Sequence, residues 1–415
     1  MSAPTATRAV RPAASAIGAS GTAATHSAAV ALSPSATPFD ALVREAARIG
    51  ERARNVAGER EAGDRELFAE VDELKASGIL GAAVPARLGG PATAAGDVSP
   101  SQRAELLRVL AYGNGSLAQI VQPHFVFARW LFSGRRPDSE RAWAERILGG
   151  ALLSNAQAER GPHVAVTLAD DAKSARLDGV KYFCTGSPYA DHLAVSAFHH
   201  GASDETLPDV VAFVDALAPG VRLVDEWDAL GQRLTGSGRV ELDAVSVGAE
   251  NVFAFDIDSL PAYGAFAQLL HAAIDVGLAE AALDEALDLA RAAGIGGELT
   301  EHLAGELAAR AFTAGAVLES AGRAVDQAFD AGVDADGRAA LAVGAAKATT
   351  GELTVDIASR VFELTGTRGI APSVELDRRW RDLRTHTLHE RRRDKLRILG
   401  RSFLDAAPPA TGTQF

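Results

Sequence analysis

Sulfur is nearly missing from this chain of 415 residues: apart from the initiator Met1, Cys184 is its only sulfur-bearing side chain. A single cysteine excludes an internal disulfide framework and a multi-cysteine metal site, and it fits a reducing cytoplasm. Two accounts of the scarcity stand: drift in an alanine-rich composition, or a protein made when sulfur is short. No uninterrupted apolar run reaches the roughly 18 residues of a membrane span. Positive charge is outweighed, 41 Lys and Arg against 54 Asp and Glu, and the net charge of −13 argues against nucleic acid as the main partner. No Gly-x-Gly-x-x-Gly follows a predicted strand, so no nicotinamide-binding domain is expected.

What is present suffices for a large core: 47% of residues are hydrophobic and 23% charged. Residues 1–38 are mostly Ala, Ser, Thr, Pro and Gly, without an acid, and read as a disordered tail. Residues 39–150 carry helical periodicity and read as an N-terminal helical domain, with His124 in its fourth helix. Residues 151–258 hold short valine-rich segments bounded by turns, the pattern of an all-β domain. Residues 259–404 return to the helical period in four long segments, the last running from Asp377 to Leu404, and suggest an antiparallel four-helix bundle. Residues 405–415 read as a tail.

One stretch of the last helix stands apart: Arg378-Arg-Trp-Arg-Asp-Leu-Arg-Thr-His386-Thr-Leu-His389-Glu390-Arg-Arg-Arg-Asp-Lys-Leu-Arg397. Its expected apolar anchors are Leu383, Leu388, Leu396 and Leu399. His386 and His389 are three apart and project from one side of a helix, with Glu390 near that side. Two imidazoles and a carboxylate on one face suit proton transfer. The competing account is a solvated basic helix with incidental histidines. No metal is expected, because helical zinc pairs favour a spacing of four and no third ligand is evident.

The order helical domain, β domain, helical bundle resembles the acyl-CoA dehydrogenase superfamily from about Phe39 to Leu404. Leu110-Ala-Tyr-Gly, Gly179-Val-Lys-Tyr-Phe-Cys-Thr-Gly-Ser and Leu230-Gly-Gln-Arg-Leu-Thr-Gly-Ser-Gly are among the stretches that carry the resemblance. Within it, Trp380 to His389 is similar to the Trp-Arg-x-x-Arg-Thr-His-Thr-Leu-His run of the reduced-flavin-dependent monooxygenases, such as the dibenzothiophene monooxygenases and their sulfur-acquisition relatives. Gln122-Pro-His124-Phe matches their histidine on the early helix. The resemblance implies an α+β multidomain fold: N-terminal helical domain, central antiparallel β-barrel and C-terminal four-helix bundle.

It also implies a function. Reduced flavin, FMN with FAD as the alternative, would come from a separate reductase and react with O2 to a C4a-hydroperoxide, which oxygenates a small organosulfur or other heteroatom substrate. His389, then His386, then His124 would govern proton transfer. Phe183, Thr185, Asn155 and Ser187 would meet the flavin ring, Thr367 and Arg368 its phosphate in a neighbouring subunit, and Trp227 and Glu390 would line the substrate pocket. The assembly implied is a homotetramer, a dimer of dimers. Two alternatives remain open at this point. Glu390 falls where many dehydrogenases keep their catalytic base, although the Gly-Thr that follows it there is replaced by arginines. A flavin-free binding or scaffold protein is the other, given the short loop after Arg291.

Overall fold

The chain is described from a computed structural model covering residues 37–169, 173–200, 207–332, 336–409 and 412. Of the two expected tails, almost all of the first and five residues of the second lie outside the described residues. The helical start is written locally. At the head of α1 (Pro38–Ala62) the Thr37 hydroxyl accepts from the Asp40 amide at 3.2 Å, while the Asp40 carboxylate accepts from the Thr37 amide at 2.8 Å. α2 is shorter than its apolar stripe suggests, Phe68–Ala76 rather than from Asp64, because Arg65 takes a positive φ of 57° and breaks the chain first. α3 (Pro100–Gly113) and α4 (Gly115–Leu131) follow, each capped by a polar side chain, Ser99 and Asn114. A fifth helix, α5 (Pro137–Leu148), was not foreseen as a separate element.

Eight strands follow among the described residues: β1 (Leu153–Ala156), β2 (Ala165–Leu168), β3 (Ser174–Cys184), β4 (His192–His199), β5 (Val210–Asp215), β6 (Val221–Val224), β7 (Gly238–Gly248) and β8 (Val252–Ala254). They form one sheet in the order β6-β7-β3-β2-β4-β5-β8, with β1 also paired to β4. This corrects the expected closed antiparallel barrel. The sheet is open, since β6 and β8 are its unjoined ends, and mixed, since β4 runs parallel to both β1 and β2. Alternating burial along a strand reports which face is covered and says nothing of which strand lies beside it. A separate apolar core, including Val166, Leu177, Leu193 and Val245, belongs to this sheet.

The C-terminal region is built from α6 (Tyr263–Ala292), α7 (Glu298–Ala331), α8 (Asp336–Thr365), α9 (Leu376–His386) and α10 (Arg392–Asp405). α6 is its centre, packed on by α3, α4, α7, α8 and α9. By length and composition α6 could cross a membrane, yet 83% of its most apolar window is buried inside the protein, so its apolarity is that of a core helix. Here too the structure corrects an expectation: the last bundle helix is two helices. α9 ends at His386 in tight turns, Leu388 N–H donating to Thr385 O at 3.1 Å and His389 N–H to His386 O at 3.1 Å. Leu383 and Leu399 are buried anchors as expected, whereas Leu388 and Leu396, on or beyond the break, are exposed. Arg379, only 1% exposed, pins α9 in place: it is held by the Glu285 carboxylate of α6 at 2.6 Å and donates to the Gly113 carbonyl at the end of α3 at 2.9 Å.

Candidate active site

α6 is apolar almost throughout, but Gln268, His271 and Asp275 stand three and four residues apart on one of its faces. That stripe meets the end of α9. His386, fully buried, places Nδ1 2.6 Å from Asp275 Oδ1 and Nε2 3.1 Å from His271 Nδ1. Gln119 of α4 reaches the same nitrogen with Oε1 at 2.9 Å. The turn after α9 swings His389 back over the pair, its Nδ1 2.8 Å from the His386 carbonyl. The ring centres of the three histidines lie 4.9–5.2 Å from one another. From α8, Lys347 donates to Asp275 Oδ2 at 2.6 Å. Glu390 pairs with Lys395 of α10 at 2.5 Å and accepts from Gln268.

The electrostatics follow from burial. His386 is pushed below the ordinary histidine range by desolvation, against the pull of Asp275, and Lys347 lowers it further. His271 falls well below that range, through desolvation and then the neighbouring His386 and His389. His389 is lowered to about 4 by desolvation and then by His386. Its ring is nonetheless exposed to solvent. Both hold for a residue crowded by protein on one side and open to solvent on the other. Asp275 stays ionised below the usual carboxylate range, because Lys347 and His386 outweigh its burial. A cavity of about 520 Å³ opens on the far side of the turn, bordered by Lys347, Arg384, Leu388, Glu390, Arg391 and Lys395.

The predicted site residues sort into two groups and some outliers. His386, His389 and Glu390 come together as described. Phe183, Trp227, Thr185, Ser187 and Asn155 belong to the sheet side. Phe183 is 44% exposed with a φ of 54°, and Trp227 stands edge-on to it at 6.3 Å. The Arg160 guanidinium lies 4.4 Å over the Phe183 ring. Behind this shelf runs a file of buried hydroxyls, Thr185 to Ser237 at 2.9 Å and Ser237 to Thr235 at 2.7 Å. The amide of Thr185 is occupied by the Phe183 carbonyl at 2.9 Å. Ser187 is buried and Asn155 half-buried. The two sides are tied by one loop: Gln232 accepts from Trp227 Nε1 through its carbonyl at 2.7 Å, and its amide donates to Asp382 Oδ1 at 2.6 Å. Asp382 is one turn before His386 on the same face of α9.

His124 stands elsewhere. It is fully buried, Nε2 bonding the Leu80 carbonyl at 3.0 Å and Nδ1 accepting from the Leu153 amide at 3.2 Å. Desolvation lowers it to about 4. With both nitrogens engaged by backbone it joins α4 to the start of β1 and does not join the cluster. Thr367 and Arg368 lie exposed on the turn after α8, apart from both groups.

Sequence reasoning missed Gln119, Gln268, His271, Asp275, Lys347 and Lys395. For α6 the signal was present: Gln268, His271 and Asp275 at helical spacing inside the apolar first half of the helix. Lys347 and Lys395 come from separate helices, and only folding brings them together. The third histidine also corrects the premise on which a metal was set aside. His271, His386 and His389 place one ligand atom each within 4.8 Å of one another.

Comparison with known proteins places this geometry in a class. Residues 269–393 match the family described as acyl-CoA dehydrogenase, C-terminal domain. The FMN-bound crystal structure of TdsC from Paenibacillus sp. A11-2 superposes with a TM-score of 0.82 at 26% identity, over 90% of this chain and all of that one. The fold is therefore acyl-CoA dehydrogenase-like. Dibenzothiophene monooxygenase from Mycolicibacterium goodii is 30% identical over 83% of this chain and 88% of its own length. A probable FMNH2-dependent monooxygenase from Pseudomonas putida, SfnC, is 28% identical over 82% of this chain and 89% of its own. The chain belongs to the dibenzothiophene monooxygenase family, the flavin-dependent oxygenase branch of that fold.

Proposed function

We propose that the chain is a monooxygenase that uses reduced FMN and O2 to add one oxygen atom to a small organosulfur substrate. The observation that carries this reading is the convergence of His271, His386 and His389 on Asp275, joined through the Gln232 loop to the Phe183–Trp227 shelf. The relatives' chemistry supports it, as does the near absence of sulfur in the chain. The residues present fit FMN. A flavin ring needs an apolar wall and hydrogen-bonding groups along its polar edge; Phe183 and Trp227 offer the wall. Asn155 Oδ1 and both ends of the Gln232 side-chain amide are buried without a protein partner, the state expected of groups that a ligand completes.

Asn155, Phe183, Gln232 and Trp227 would hold FMN, with the hydroxyls of Thr185 and Ser187 beside them. Thr367 and Arg368 are assigned to the phosphate of a neighbouring subunit's flavin, Arg368 through its bidentate fork. When bound, reduced FMN supplies the electrons and the carbon that reacts with O2. The chain supplies the rest. The Asp275 carboxylate accepts the Nδ1 proton of His386 and fixes its ring, which turns Nε2 toward Gln119 and His271. His389, exposed on the turn after α9, moves the proton that the reaction releases or takes up. Glu390 is engaged by Lys395 and Gln268, which argues against its being a free base for an acyl-CoA substrate. We assign the chain to the cytoplasm, to a homotetramer and to a partnership with a separate flavin reductase. Residues 39–150, 151–258 and 259–404 are its proposed working units.

The test is turnover with photoreduced FMN. His389→Ala is expected to lower oxygenation by about 10²- to 10⁴-fold while FMN binds as before. Unchanged turnover would remove the role given to His389.

A further inference from the structure

We propose that His271, His386 and His389 form a three-imidazole site for a divalent transition ion, zinc above all, and that the bound ion blocks oxygenation by occupying the nitrogens that move the proton. The binding half of this stands on geometry alone; the inhibitory half rests on the oxygenase reading.

The donor atoms are close to a zinc geometry. Two nitrogens each about 2.0–2.1 Å from zinc at a tetrahedral angle stand about 3.3 Å apart. His386 Nε2 and His271 Nδ1 are 3.1 Å apart, and all three ligand atoms lie within 4.8 Å. The remaining gap is within reach of a rotation of His389, whose ring is exposed and on a turn rather than in a helix.

The outer shell is also that of a metal site. A ligating histidine gives its other ring nitrogen to a carboxylate or a backbone carbonyl, which fixes the tautomer and aims the lone pair. His386 gives Nδ1 to Asp275 at 2.6 Å, and His389 gives Nδ1 to the His386 carbonyl at 2.8 Å. Both therefore present Nε2 to the shared hollow. Gln119 Oε1, 2.9 Å from His386 Nε2, lies in that hollow and offers a fourth oxygen ligand. The two nearby ammonium groups do not oppose a cation outright, because Lys347 is paired with Asp275 and Lys395 with Glu390. Three imidazoles and an amide oxygen, with no thiolate, suit zinc, cobalt or nickel rather than cuprous ion. The open side at His389 provides the entry path.

Full-length protein freed of metal by a chelator is titrated with Co²⁺ and then with Zn²⁺. One equivalent of cobalt is expected to give visible ligand-field absorption that zinc abolishes. His271→Ala and His389→Ala should each lose that absorption, while His302→Ala, an exposed histidine of α7 outside the cluster, should keep it. If His271→Ala does not fold, His389→Ala at the exposed rim carries the test. No absorption at one equivalent, or the same absorption in His389→Ala, overturns the site. Oxygenation with photoreduced FMN should then fall at least about tenfold in saturating zinc and return with chelator, since the blocked proton transfer is worth about 10²–10⁴. Full turnover with zinc bound overturns the inhibitory half. Zinc binding in a protein with no oxygenase activity at all leaves the site standing and removes the functional reading instead.

Discussion

Two of the predicted residues behave unlike their neighbours in sequence, and each makes a separate prediction. His124 is neutral because it is buried and both its nitrogens serve backbone groups. The unfolded chain takes up a proton at this residue near pH 6.5, whereas the folded one holds it off until about 4. A histidine depressed in this way leaves stability intact above 6.5 and removes it as pH falls from 6.5 to 4, here by on the order of 3 kcal/mol. His124→Gln keeps a donor for Leu80 but leaves the Leu153 amide unpaired. It should cost about 1–3 kcal/mol at pH 7 and make the dependence of the denaturant midpoint on pH between 6.5 and 4 shallower; an unaltered dependence would show that another group governs it. Glu390 is the second. Engaged by Lys395 and Gln268, it is expected to tolerate Glu390→Gln with oxygenation kept to within about tenfold, the spread of modest positional effects. Loss of all turnover in that variant would return it to the role of base. Cys184, by contrast, is buried and its thiol is pushed up to about 12 by that burial, which keeps it from the reactive thiolate form at neutral pH.

The site depends on how elements meet, above all on the contact of the 225–237 loop with α9. Gly231 allows it: a Cβ there would come within 2.1 Å of the Arg381 carbonyl. Gly231→Ala must push the loop off the helix, breaking the bond from Gln232 to Asp382 and moving Trp227 away from Phe183. We expect a stability loss of about 1–3 kcal/mol and weaker FMN binding, read by fluorescence titration of the flavin; wild-type binding would mean that the loop is not part of the site. Elements were unevenly legible. Helices with polar caps, such as α1 and α3, and the strands from β3 to β7 could be read from periodicity and turn residues. The break between α9 and α10 could not, because Thr387 to Arg391 carries neither proline nor glycine; at the turn the His389 ring packs on His271 of α6 and on His386. The parallel pairings of β4 were invisible for the reason that strand alternation is blind to neighbours.

At the scale of the whole molecule, α6 is the axis to which everything else is referred. It buries its apolar faces against the helices around it, brings His271 and Asp275 to the histidine cluster, and ties α3 and α9 through Glu280 and Glu285. Part of the candidate site was therefore legible as a motif, the His386–His389 pair. The rest, Gln119 of α4, His271 and Asp275 of α6 and Lys347 of α8, lies on helices distant in sequence that only the fold brings to the end of α9. The sheet contributes the aromatic shelf, and the loop to α9 joins the two halves. The claim that unites these parts is that the histidine cluster serves an oxygen-transferring flavin. It is tested most directly by a single turnover with photoreduced FMN, a small organosulfur substrate and ¹⁸O₂. The account predicts one ¹⁸O atom in the product from the wild-type chain and a yield lower by about 10²-fold or more from His389→Ala. An unlabelled product, or equal labelled yield from both proteins, would contradict it.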